Sequence, residues 1–341
     1  MAKQKFLLED VAQAAGVSKS TVDRVLNGRP GVRASTLERV NAALERLGYA
    51  PNALARRIAP AAERVDILLP RNENLFFDDL VARLREEEAR HDLDMRMVRM
   101  EGFDAPSLAA ALNGISEETR AVIAVALDAP EVRDAVDRLE ARGTRVVTLV
   151  SDVPQSRRSA YIGFDNFAAG RTAGALMALL VPPGAGSVAV LVGHLGLRDH
   201  LDRRSGFEQV IAERRPDLRV LQAGACRDLP ELAQEMVARL LAETPDLTGL
   251  YVAGAGNRGV VAALAKAAPP GLAVVGHELT ATTRAALLAG RYQAVIVQDT
   301  RELARRALDM ALSPRAGDDP MDSRPLAIQI VVKENLPPAE F

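Results

Sequence analysis

The sequence predicts an all-α domain at the N terminus, joined to a larger α/β domain of two lobes with parallel sheets. Over residues 8–48, apolar side chains recur three and four positions apart, as they do in short amphipathic helices. From Arg64 onward, strand-like apolar runs alternate with helix-length amphipathic segments, which is typical of parallel sheets covered by helices. The length of 341 residues favours more than one compact unit, because a single core stops growing at roughly 250 to 300 residues.

Composition excludes several classes of protein. Cys226 is the only cysteine, so the chain cannot form an intrachain disulfide. The first apolar run, FLL, is too short for a signal peptide, and no run approaches the roughly 18 residues of a membrane helix. We therefore expect a cytoplasmic protein with no membrane partner.

Charge is distributed unevenly along the chain. Residues 1–64 carry 11 Lys and Arg against 6 Asp and Glu, whereas the whole chain carries 43 against 45, for a net charge of −2. A basic N-terminal segment on an acidic body is consistent with a nucleic-acid contact confined to that segment.

The N-terminal segment predicts three short helices. Leu8, Val11, Ala12 and Ala15 form one apolar stripe, and Gly16 ends that first helix. Ser18 can cap a second helix through its hydroxyl group. A third helix opens with Ser35 and Glu38 in capping-box spacing, runs along Leu37, Val40, Leu44 and Leu47, and closes at Gly48.

The second helix has a polar face that its packing does not require. Val22, Val25 and Leu26 point towards the first helix, whereas Lys19, Ser20 and Arg24 point away. A helix-turn-helix leaves the start of its second helix free to enter the major groove of DNA. The alternative is an ordinary solvated face.

Residues 1–60 closely resemble the DNA-binding headpiece of the lactose-repressor (LacI-type) family. The pattern DVA..AGVS..TV.RVLNG spans Asp10 to Gly28, and GY.PN.LAR spans Gly48 to Arg56. The resemblance implies that Lys19 and Ser20 read bases and that Thr21 and Arg24 contact phosphates or adjacent bases. It implies the DNA-binding set Ser18, Lys19, Ser20, Thr21, Arg24, Asn27, Tyr49, Asn52, Ala55, Arg57 and Ile58.

The resemblance also divides the chain. Residues 1–49 correspond to the helix-turn-helix headpiece, and residues 50–63 to a hinge helix and linker. In the family the hinge helix pushes an apolar side chain into the minor groove, and Ile58 occupies that position. The alternative is a linker helix in which Ile58 packs in the ordinary way.

Residues 64–341 predict two α/β lobes with a cleft between them. The strand-like runs fall into two sets, before and after about Tyr161; they are VDILLP, AVIAVAL, VVTLV, SVAVLV, GLYVAG, LAVVGHE and QAVIVQD. This portion resembles the periplasmic-binding-protein-like sugar domain of the same family. The resemblance implies a first lobe of about 64–162 and 299–322 and a second lobe of about 163–298 and 323–341.

The same resemblance implies a sugar site in the cleft. Its effector-binding set is Asn74, Phe76, Phe77, Asp152, Arg203, Asn257, His277, Glu278 and Gln298. Carboxylates, amides and a guanidinium suit hydroxyl groups, and an aromatic ring suits a sugar face. Adjacent Phe76 and Phe77 predict that at least one packs in the core. Asp165 and Asn166 are further candidates, or alternatively cap a helix beginning near Ala168.

Two other interpretations of residues 64–341 remain open. Gly254 to Gly259, GAGNRG, matches G-x-G-x-x-G with Glu278 roughly 20 residues on, as in an NAD-dependent oxidoreductase. A milder version has this loop bind a phosphate group of the effector. His194 and His200, with Asp199 and Asp202, fit no common zinc spacing, and nearby glycines indicate a loop.

The favoured interpretation is a transcriptional regulator, specifically a repressor, rather than an enzyme. It predicts a homodimer on a pseudo-palindromic operator. It further predicts control by a monosaccharide, polyol or sugar phosphate bound between the lobes, and it requires no cofactor or metal.

Overall fold

The computed structural model describes residues 8–26, 35–36, 39–40, 43, 64–71, 74–91, 93–254, 256–313 and 324–338. The chain divides into two compact units, Met1–Arg64 with Asp92–Asp94, and Val65–His91 with Met95–Phe341. Within the described residues, no helix is both long enough and apolar enough to cross a membrane.

The first unit contains a helix-turn-helix. Helix α1 spans Leu8–Ala15, and α2 spans Lys19–Leu26. Gly16, at φ 62°, makes the turn in a conformation that side chains other than glycine rarely adopt. Residues 35–36, 39–40 and 43 are helical, as the third predicted helix requires. The remainder of that helix, and the predicted hinge helix, lie outside the described residues.

A small apolar core holds these helices together. It consists of Val11, Ala12, Ala15, Val22, Val40 and Ala43. Arg39 extends to the end of α1, where its guanidinium donates to the carbonyl groups of Ala15 at 2.6 Å and Gly16 at 2.7 Å. These bonds satisfy carbonyl groups that the end of a helix leaves without partners.

The second unit begins with a five-stranded sheet. Its strands are β1 (Arg64–Arg71), β2 (Asp94–Glu101), β3 (Thr119–Ala124), β4 (Arg145–Leu149) and β5 (Ala160–Ile162), in the order β2-β1-β3-β4-β5. The connecting helices are α3 (Leu75–His91), α4 (Ala105–Asn113) and α5 (Pro130–Ala141). The pairs β3–β4 and β4–β5 are parallel.

A six-stranded sheet forms the second lobe. Its strands are β6 (Gly186–Val192), β7 (Leu218–Ala225), β8 (Leu247–Val252), β9 (Ala273–His277), β10 (Ala294–Val297) and β11 (Gln329–Val331), in the order β11-β10-β9-β8-β6-β7. Its helices are α6 (Asn166–Leu180), α7 (Arg198–Arg214), α8 (Pro230–Glu243), α9 (Asn257–Ala267) and α10 (Ala281–Leu288). The sheet is parallel from β7 to β10, and β11 pairs antiparallel with β10.

The chain passes between the two sheets more than once. Helix α11 (Thr300–Leu312) follows β10 of the second sheet but packs on α3, β3 and β4 of the first. Strand β11 then returns to the edge of the second sheet. These crossings connect two lobes that each have their own parallel sheet, so the predicted fold class is confirmed.

Candidate functional site

A cavity lies between the two lobes. The first lobe contributes Asn74, Phe76, Phe77, Phe103, Val125, Val150 and Ser151, and the second contributes Leu197, Asp199, His200, Arg203, Asp228, Gly254 and Glu278. Val125, Val150 and Glu278 directly follow the ends of β3, β4 and β9. The cavity therefore lies where the carboxyl ends of parallel strands converge, which is where α/β folds bind ligands.

Hydrogen bonds between the lobes close this cavity. The backbone N–H of Asp128 donates to the carbonyl of Gly196 at 3.1 Å. The backbone N–H of Arg198 donates to Ser151 Oγ, also at 3.1 Å. Asn74 and Asp228 are joined by a third hydrogen bond between side chains. The structure thus has the closed form of a two-lobe cleft.

Arg203 is the central cation of the second-lobe wall, and the packing of α6 against α7 positions it. The two helices approach so closely that a Cβ on Gly170 would lie 1.9 Å from the carbonyl oxygen of Arg203. Arg203 Nε donates to Asn166 Oδ1 at 2.8 Å, and Nη1 donates to the Ala253 carbonyl at 3.1 Å. Its guanidinium also stacks over Phe164 at 5.1 Å from the ring centroid.

Three buried carboxylates lie on the same wall as Arg203, and we call Asp199, Asp228 and Glu278 the carboxylate cluster. Arg203 Nη2 lies 3.6 Å from Asp199 Oδ2 and 4.0 Å from Glu278 Oε1, both longer than a hydrogen bond. Burial, together with the charge of Asp199, raises the pKa of Asp228 and that of Glu278 to about 7, while Arg203 opposes the rise for Glu278. Both of these carboxyl groups are therefore partly protonated near pH 7.

Two histidines complete this wall. His200 lines the cavity, and its Nδ1 accepts the backbone N–H of His194 at 3.0 Å. Burial lowers the pKa of His200 below its ordinary value, so the ring is neutral near pH 7. His277 lies behind the wall, where its Nε2 contacts Tyr251 Oη at 2.7 Å, and burial lowers its pKa well below the ordinary value.

The first-lobe wall is mostly apolar, and we call Phe76, Phe77 and Phe103 the aromatic wall. The Phe76 and Phe77 rings meet edge to face with centroids 5.3 Å apart, and Phe77 and Phe103 meet likewise at 6.3 Å. Asn74 starts helix α3 by accepting the backbone N–H of Phe76 at 3.2 Å. Phe76 and Phe77 are both buried, and both line the cavity.

Five of the predicted effector-binding residues come together in this lining: Asn74, Phe76, Phe77, Arg203 and Glu278. The structure places the other four, Asp152, Asn257, His277 and Gln298, outside it. Asp152 is bound to Arg158 and accepts the hydroxyl of Thr148 at 2.6 Å.

The other three residues lie behind or beside the second-lobe wall; they are Asn257, His277 and Gln298. Asn257 donates to the His277 carbonyl at 3.2 Å and accepts from Tyr292 Oη at 2.9 Å. It faces an adjoining recess that it shares with Asn74 and Asp228. Gln298 donates to Glu278 Oε1 at 2.9 Å and so orients that carboxylate.

Asp165 has one of the two predicted roles, and Asn166 has neither. Asp165 caps α6 by accepting the backbone N–H of Ala168 at 2.9 Å. Asn166 is buried and joins Arg203 to Tyr161, because its Nδ2 also donates to Tyr161 Oη at 2.9 Å. Asn166 therefore orients Arg203 without lining the cavity itself.

Sequence reasoning missed Asp199, His200, Asp228 and Phe103 as lining residues. The expectation of a loop through His200 is wrong, because His200 lies in α7, which begins at Arg198. The missed signal is spacing: Asp199, His200 and Arg203 are three and four positions apart and share one helix face. Asp228 has no such signal, since it lies in a turn with φ 59°.

In the first unit, the start of α2 is exposed. Ser18 caps the helix by accepting the backbone N–H of Thr21 at 3.2 Å. Lys19 Nζ donates to Glu9 at 2.8 Å, a contact between exposed groups that costs little to break. Ser20 and Arg24 are also exposed. The predicted contacts Asn27, Tyr49, Asn52, Ala55, Arg57 and Ile58 lie outside the described residues.

Close packing accounts for the glycines of Gly254 to Gly259. A Cβ on Gly254 would lie 2.2 Å from His200 Nε2, and one on Gly259 would lie 1.9 Å from the Pro230 carbonyl. On Gly256, which has φ 80°, a Cβ would lie 2.8 Å from Cys226 Sγ. The glycine spacing thus follows from contacts within the lobe and does not require a dinucleotide.

Two family profiles match the chain. The family described as "Periplasmic binding protein domain" matches residues 65–317, and the family described as "Bacterial regulatory proteins, lacI family" matches residues 7–52. The first match covers most of the chain.

Relatives among characterised proteins match about a quarter of the chain. Catabolite control protein A of Priestia megaterium is 46% identical over 72 residues, 21% of this chain and 22% of that protein. The sucrose operon repressor of Streptococcus mutans is 38% identical over 85 residues, 25% of this chain and 27% of that protein. The chain thus aligns with only about a quarter of the length of these relatives.

Solved structures match about four fifths of the chain. A solute-binding protein from Burkholderia graminis in complex with D-arabinose has a TM-score of 0.73 at 22% identity, covering 81% of this chain and 97% of that one. The glucose-galactose binding protein GanP from Geobacillus stearothermophilus has a TM-score of 0.71 at 22% identity, covering 80% and 99%. At this identity the similarity is one of fold.

Proposed function

We propose a regulatory function on the premise that this chain belongs to the periplasmic-binding-protein domain family and carries the DNA-binding domain of the lacI family of bacterial regulatory proteins. The protein is a sequence-specific DNA-binding repressor of transcription. A sugar-like effector bound in the cavity between the lobes controls its affinity for the operator. It acts in the cytoplasm as a homodimer on a pseudo-palindromic site.

The observation that carries this proposal is the presence, in one chain, of an exposed recognition helix and an enclosed polar cavity. Ser18, Lys19 and Ser20 are exposed at the start of α2, where a helix-turn-helix contacts base edges. Arg203 and Asp199 face a closed cavity between two lobes. A DNA-binding unit without a sensor would not require the second feature.

The cavity supports control by ligand because its walls belong to different lobes. A ligand that bridges Arg203 on one wall and the aromatic wall on the other stabilises the closed cleft over an open one. Closure then changes the arrangement of the first lobes in the dimer, and with it the spacing of the two recognition helices. The effector and operator affinities must be coupled reciprocally.

The effector class is a monosaccharide or a compound of similar size and hydroxyl content. Arg203 Nη2 and Asp199 Oδ1 offer a donor and an acceptor to hydroxyl groups, and phenyl rings suit the apolar face of a sugar. The fold is that of a D-arabinose complex and of a D-allose complex among solved structures.

A selection experiment tests the function as a whole. Randomised duplexes are selected on the purified full-length protein, and the dissociation constant for the enriched site is measured with and without monosaccharides and polyols. We expect one enriched, pseudo-palindromic sequence and at least one compound that changes its affinity about fivefold or more. Failure to enrich any sequence would refute the proposal.

Base readout by α2 is tested with Lys19→Ala. We expect affinity for the enriched site to fall at least about tenfold, because a lysine contact to guanine contributes roughly 1–3 kcal/mol of discrimination. Affinity for random DNA should fall much less. Arg85→Ala, which removes an exposed charge on α3, is the matched control. Equal losses of Lys19→Ala on both kinds of DNA would contradict base readout.

A further inference from the structure

A strained turn of the first lobe borders the cavity. Val150, which follows β4, has φ 67°, and the N–H of Ser151 donates to the Leu149 carbonyl at 2.7 Å. Together they define a γ-turn of the strained kind, which a β-branched residue rarely adopts. Val150 and Ser151 both line the cavity. Strained backbone persists only where surrounding contacts hold it, and it is concentrated at functional sites.

The turn presents Ser151 to the second lobe. Ser151 Oγ accepts the backbone N–H of Arg198 at 3.1 Å, and Arg198 is the first residue of α7. The N–H groups at the start of a helix have no acceptor within that helix. The Arg198 N–H therefore depends on an acceptor across the cleft, so its exchange with solvent measures how often the lobes separate.

The hydroxyl of Tyr161 holds the same turn from β5. Tyr161 Oη lies 2.9 Å from the Val150 carbonyl oxygen and 3.1 Å from that of Phe164, and it can donate its single proton to either. Gly163 leaves room for this hydroxyl, because a Cβ there would lie 2.2 Å from Tyr161 Oη. Burial raises the pKa of Tyr161 above its ordinary value, so the hydroxyl keeps the proton that it donates.

Asn166 connects the Tyr161 hydroxyl to the cation of the second-lobe wall. Asn166 Nδ2 donates to Tyr161 Oη at 2.9 Å, and Asn166 Oδ1 accepts from Arg203 Nε at 2.8 Å. Because an arginine side chain can only donate, the second bond fixes which way the amide faces. Tyr161 thus accepts a hydrogen bond from the second lobe while it donates within the first.

These hydrogen bonds form one continuous path that leaves α7 and returns to it. Two of them join the lobes, one between Asn166 and Tyr161 and one between Arg198 and Ser151. Arg203 Nη2 is buried without a partner in the described part of the chain, so a ligand that accepts from it acts on one end of the path. We call this the coupling path, and its residues are Arg203, Asn166, Tyr161, Val150, Ser151 and Arg198.

We propose that Tyr161 is a positioning residue that couples the state of Arg203 to closure of the cleft. Its hydroxyl holds the Val150 turn in the conformation that presents Ser151 to the second lobe. Arg203 holds that hydroxyl through Asn166, so a ligand that orders Arg203 favours the closed form. The inference rests on the proposed function for the role of the effector, whereas the coupling itself belongs to the chain without ligand or DNA.

Tyr161→Phe tests the hydroxyl in the unliganded full-length protein. The variant keeps the ring, and hydrogen exchange is measured with resolution of single backbone amides. We expect the Arg198 amide to exchange about three- to tenfold faster, which is the range that the loss of one hydrogen bond gives. Tyr292→Phe is the matched control and should leave that rate unchanged, because Tyr292 Oη donates to Asn257 within the second lobe. Ser151→Ala removes the acceptor and sets the upper limit of the rate.

A double-mutant cycle with Asn166→Ala tests the connection to Arg203. Asn166 makes no bond to Arg198 or Ser151 in the described contacts, yet we expect Asn166→Ala to speed exchange of the Arg198 amide as Tyr161→Phe does. If Asn166 acts through Tyr161, the double variant should exchange no faster than the faster single variant. The amide of Val190, in the centre of β6, measures the stability of the second lobe in each protein.

Three results would overturn the inference. The first is an Arg198 exchange rate that Tyr161→Phe leaves unchanged. The second is equal acceleration at Arg198 and Val190, which would indicate a general loss of stability. The third is a double variant in which the two accelerations multiply, since Asn166 would then act independently of Tyr161.

The proposed function is decided by different measurements. If the exchange results are as expected but the protein selects no operator sequence, the inference stands and the proposed function fails. If the protein selects an operator that responds to a sugar but Tyr161→Phe leaves Arg198 exchange unchanged, the proposed function stands and the inference is overturned.

Discussion

The two walls of the cavity differ in charge. The second-lobe wall holds every charged group of the lining, in Arg203 and the carboxylate cluster. The first-lobe wall offers Asn74, Ser151, apolar side chains and three phenyl rings. Both walls stand at the ends of parallel strands, so the difference comes from side chains rather than from backbone architecture.

This difference shows how the two lobes of a cleft can have separate parts in ligand binding. The charges are held by α7 and by the turns after β7 and β9, where Asn166, Gln298 and backbone groups orient them before any ligand arrives. The first lobe contributes surface that is useful only when the cleft is closed. We infer that the second lobe sets which ligand binds and that the first lobe senses that it has bound.

The largest effect should come from removing the cation of the second-lobe wall. Arg203→Ala leaves buried carboxylates uncompensated, so we expect ligand affinity to fall about 100-fold or more and stability to fall by about 3–5 kcal/mol. Operator affinity without ligand should stay unchanged. Titration calorimetry, denaturant unfolding and operator binding measure the three quantities.

The neighbouring arginine provides the control for this prediction. Arg204 is partly exposed and lies 3.7 Å from Glu208, away from the cavity. Arg204→Ala should leave ligand binding within about twofold, as surface ion pairs contribute little. An Arg203→Ala protein that still responds to the effector would show that the charged wall does not select the ligand.

A smaller effect is expected from the aromatic wall. Phe103→Ala removes a half-buried ring that contributes contact but no charge, so ligand affinity should fall about tenfold. This loss should be the same at low and high salt. Phe167→Ala, which removes an exposed ring on α6, is the control and should bind ligand normally. A loss as large as that of Arg203→Ala would remove the distinction between the walls.

Glu278→Gln tests the cost of the charged wall in the unliganded protein. Burial raises the pKa of Glu278 to about 7, so the folded state retains a proton near pH 6 that the unfolded state has lost. The stability associated with that proton is present at pH 5 and is lost as pH rises through 7. The variant should therefore gain about 1–3 kcal/mol relative to the natural protein between pH 5 and pH 8.

The comparison must be one of differences, because other groups titrate in the same range. Burial lowers the pKa of His200 and of His277, which favours unfolding at the acid end of this window in both proteins. Subtracting the two unfolding curves removes that contribution. Glu231→Gln, at an exposed position on α8, should give a curve parallel to that of the natural protein. Parallel curves for Glu278→Gln would contradict a costly buried carboxylate.

The sequence predicted the central strands well and the edge strands poorly. β3, β6 and β8 are nearly continuous apolar runs because both faces are covered by helices. β2 and β7 lie at sheet edges and carry polar side chains, as where Arg96 on β2 pairs with buried Asp66. In sequence alone, the polar residues of β2 and β7 resemble those of loops. Only pairing with a neighbouring strand identifies these segments as strands.

The sequence likewise predicted only part of the cavity lining. The family resemblance predicted Arg203 and Glu278, because Arg203 begins the pattern R..GF and Glu278 ends GHE. Which carboxylates surround them depends on contacts between distant segments, as between Asn74 and Asp228. No local pattern distinguishes Asp228, in the lining, from Asp152, which is bound by an arginine six residues later.

Asp152→Asn should give the smallest effect on ligand binding. Asp152 was predicted to contact the effector, but Arg158 and Thr148 already occupy its two oxygens, and it lies outside the cavity lining. We expect ligand affinity within about twofold of the natural protein, with a loss of stability of about 1–3 kcal/mol from the weakened hydrogen bonds. Calorimetry and unfolding curves measure both. A large loss of affinity would mean that Asp152 exchanges Arg158 for the ligand, and the first lobe would then contribute a charge after all.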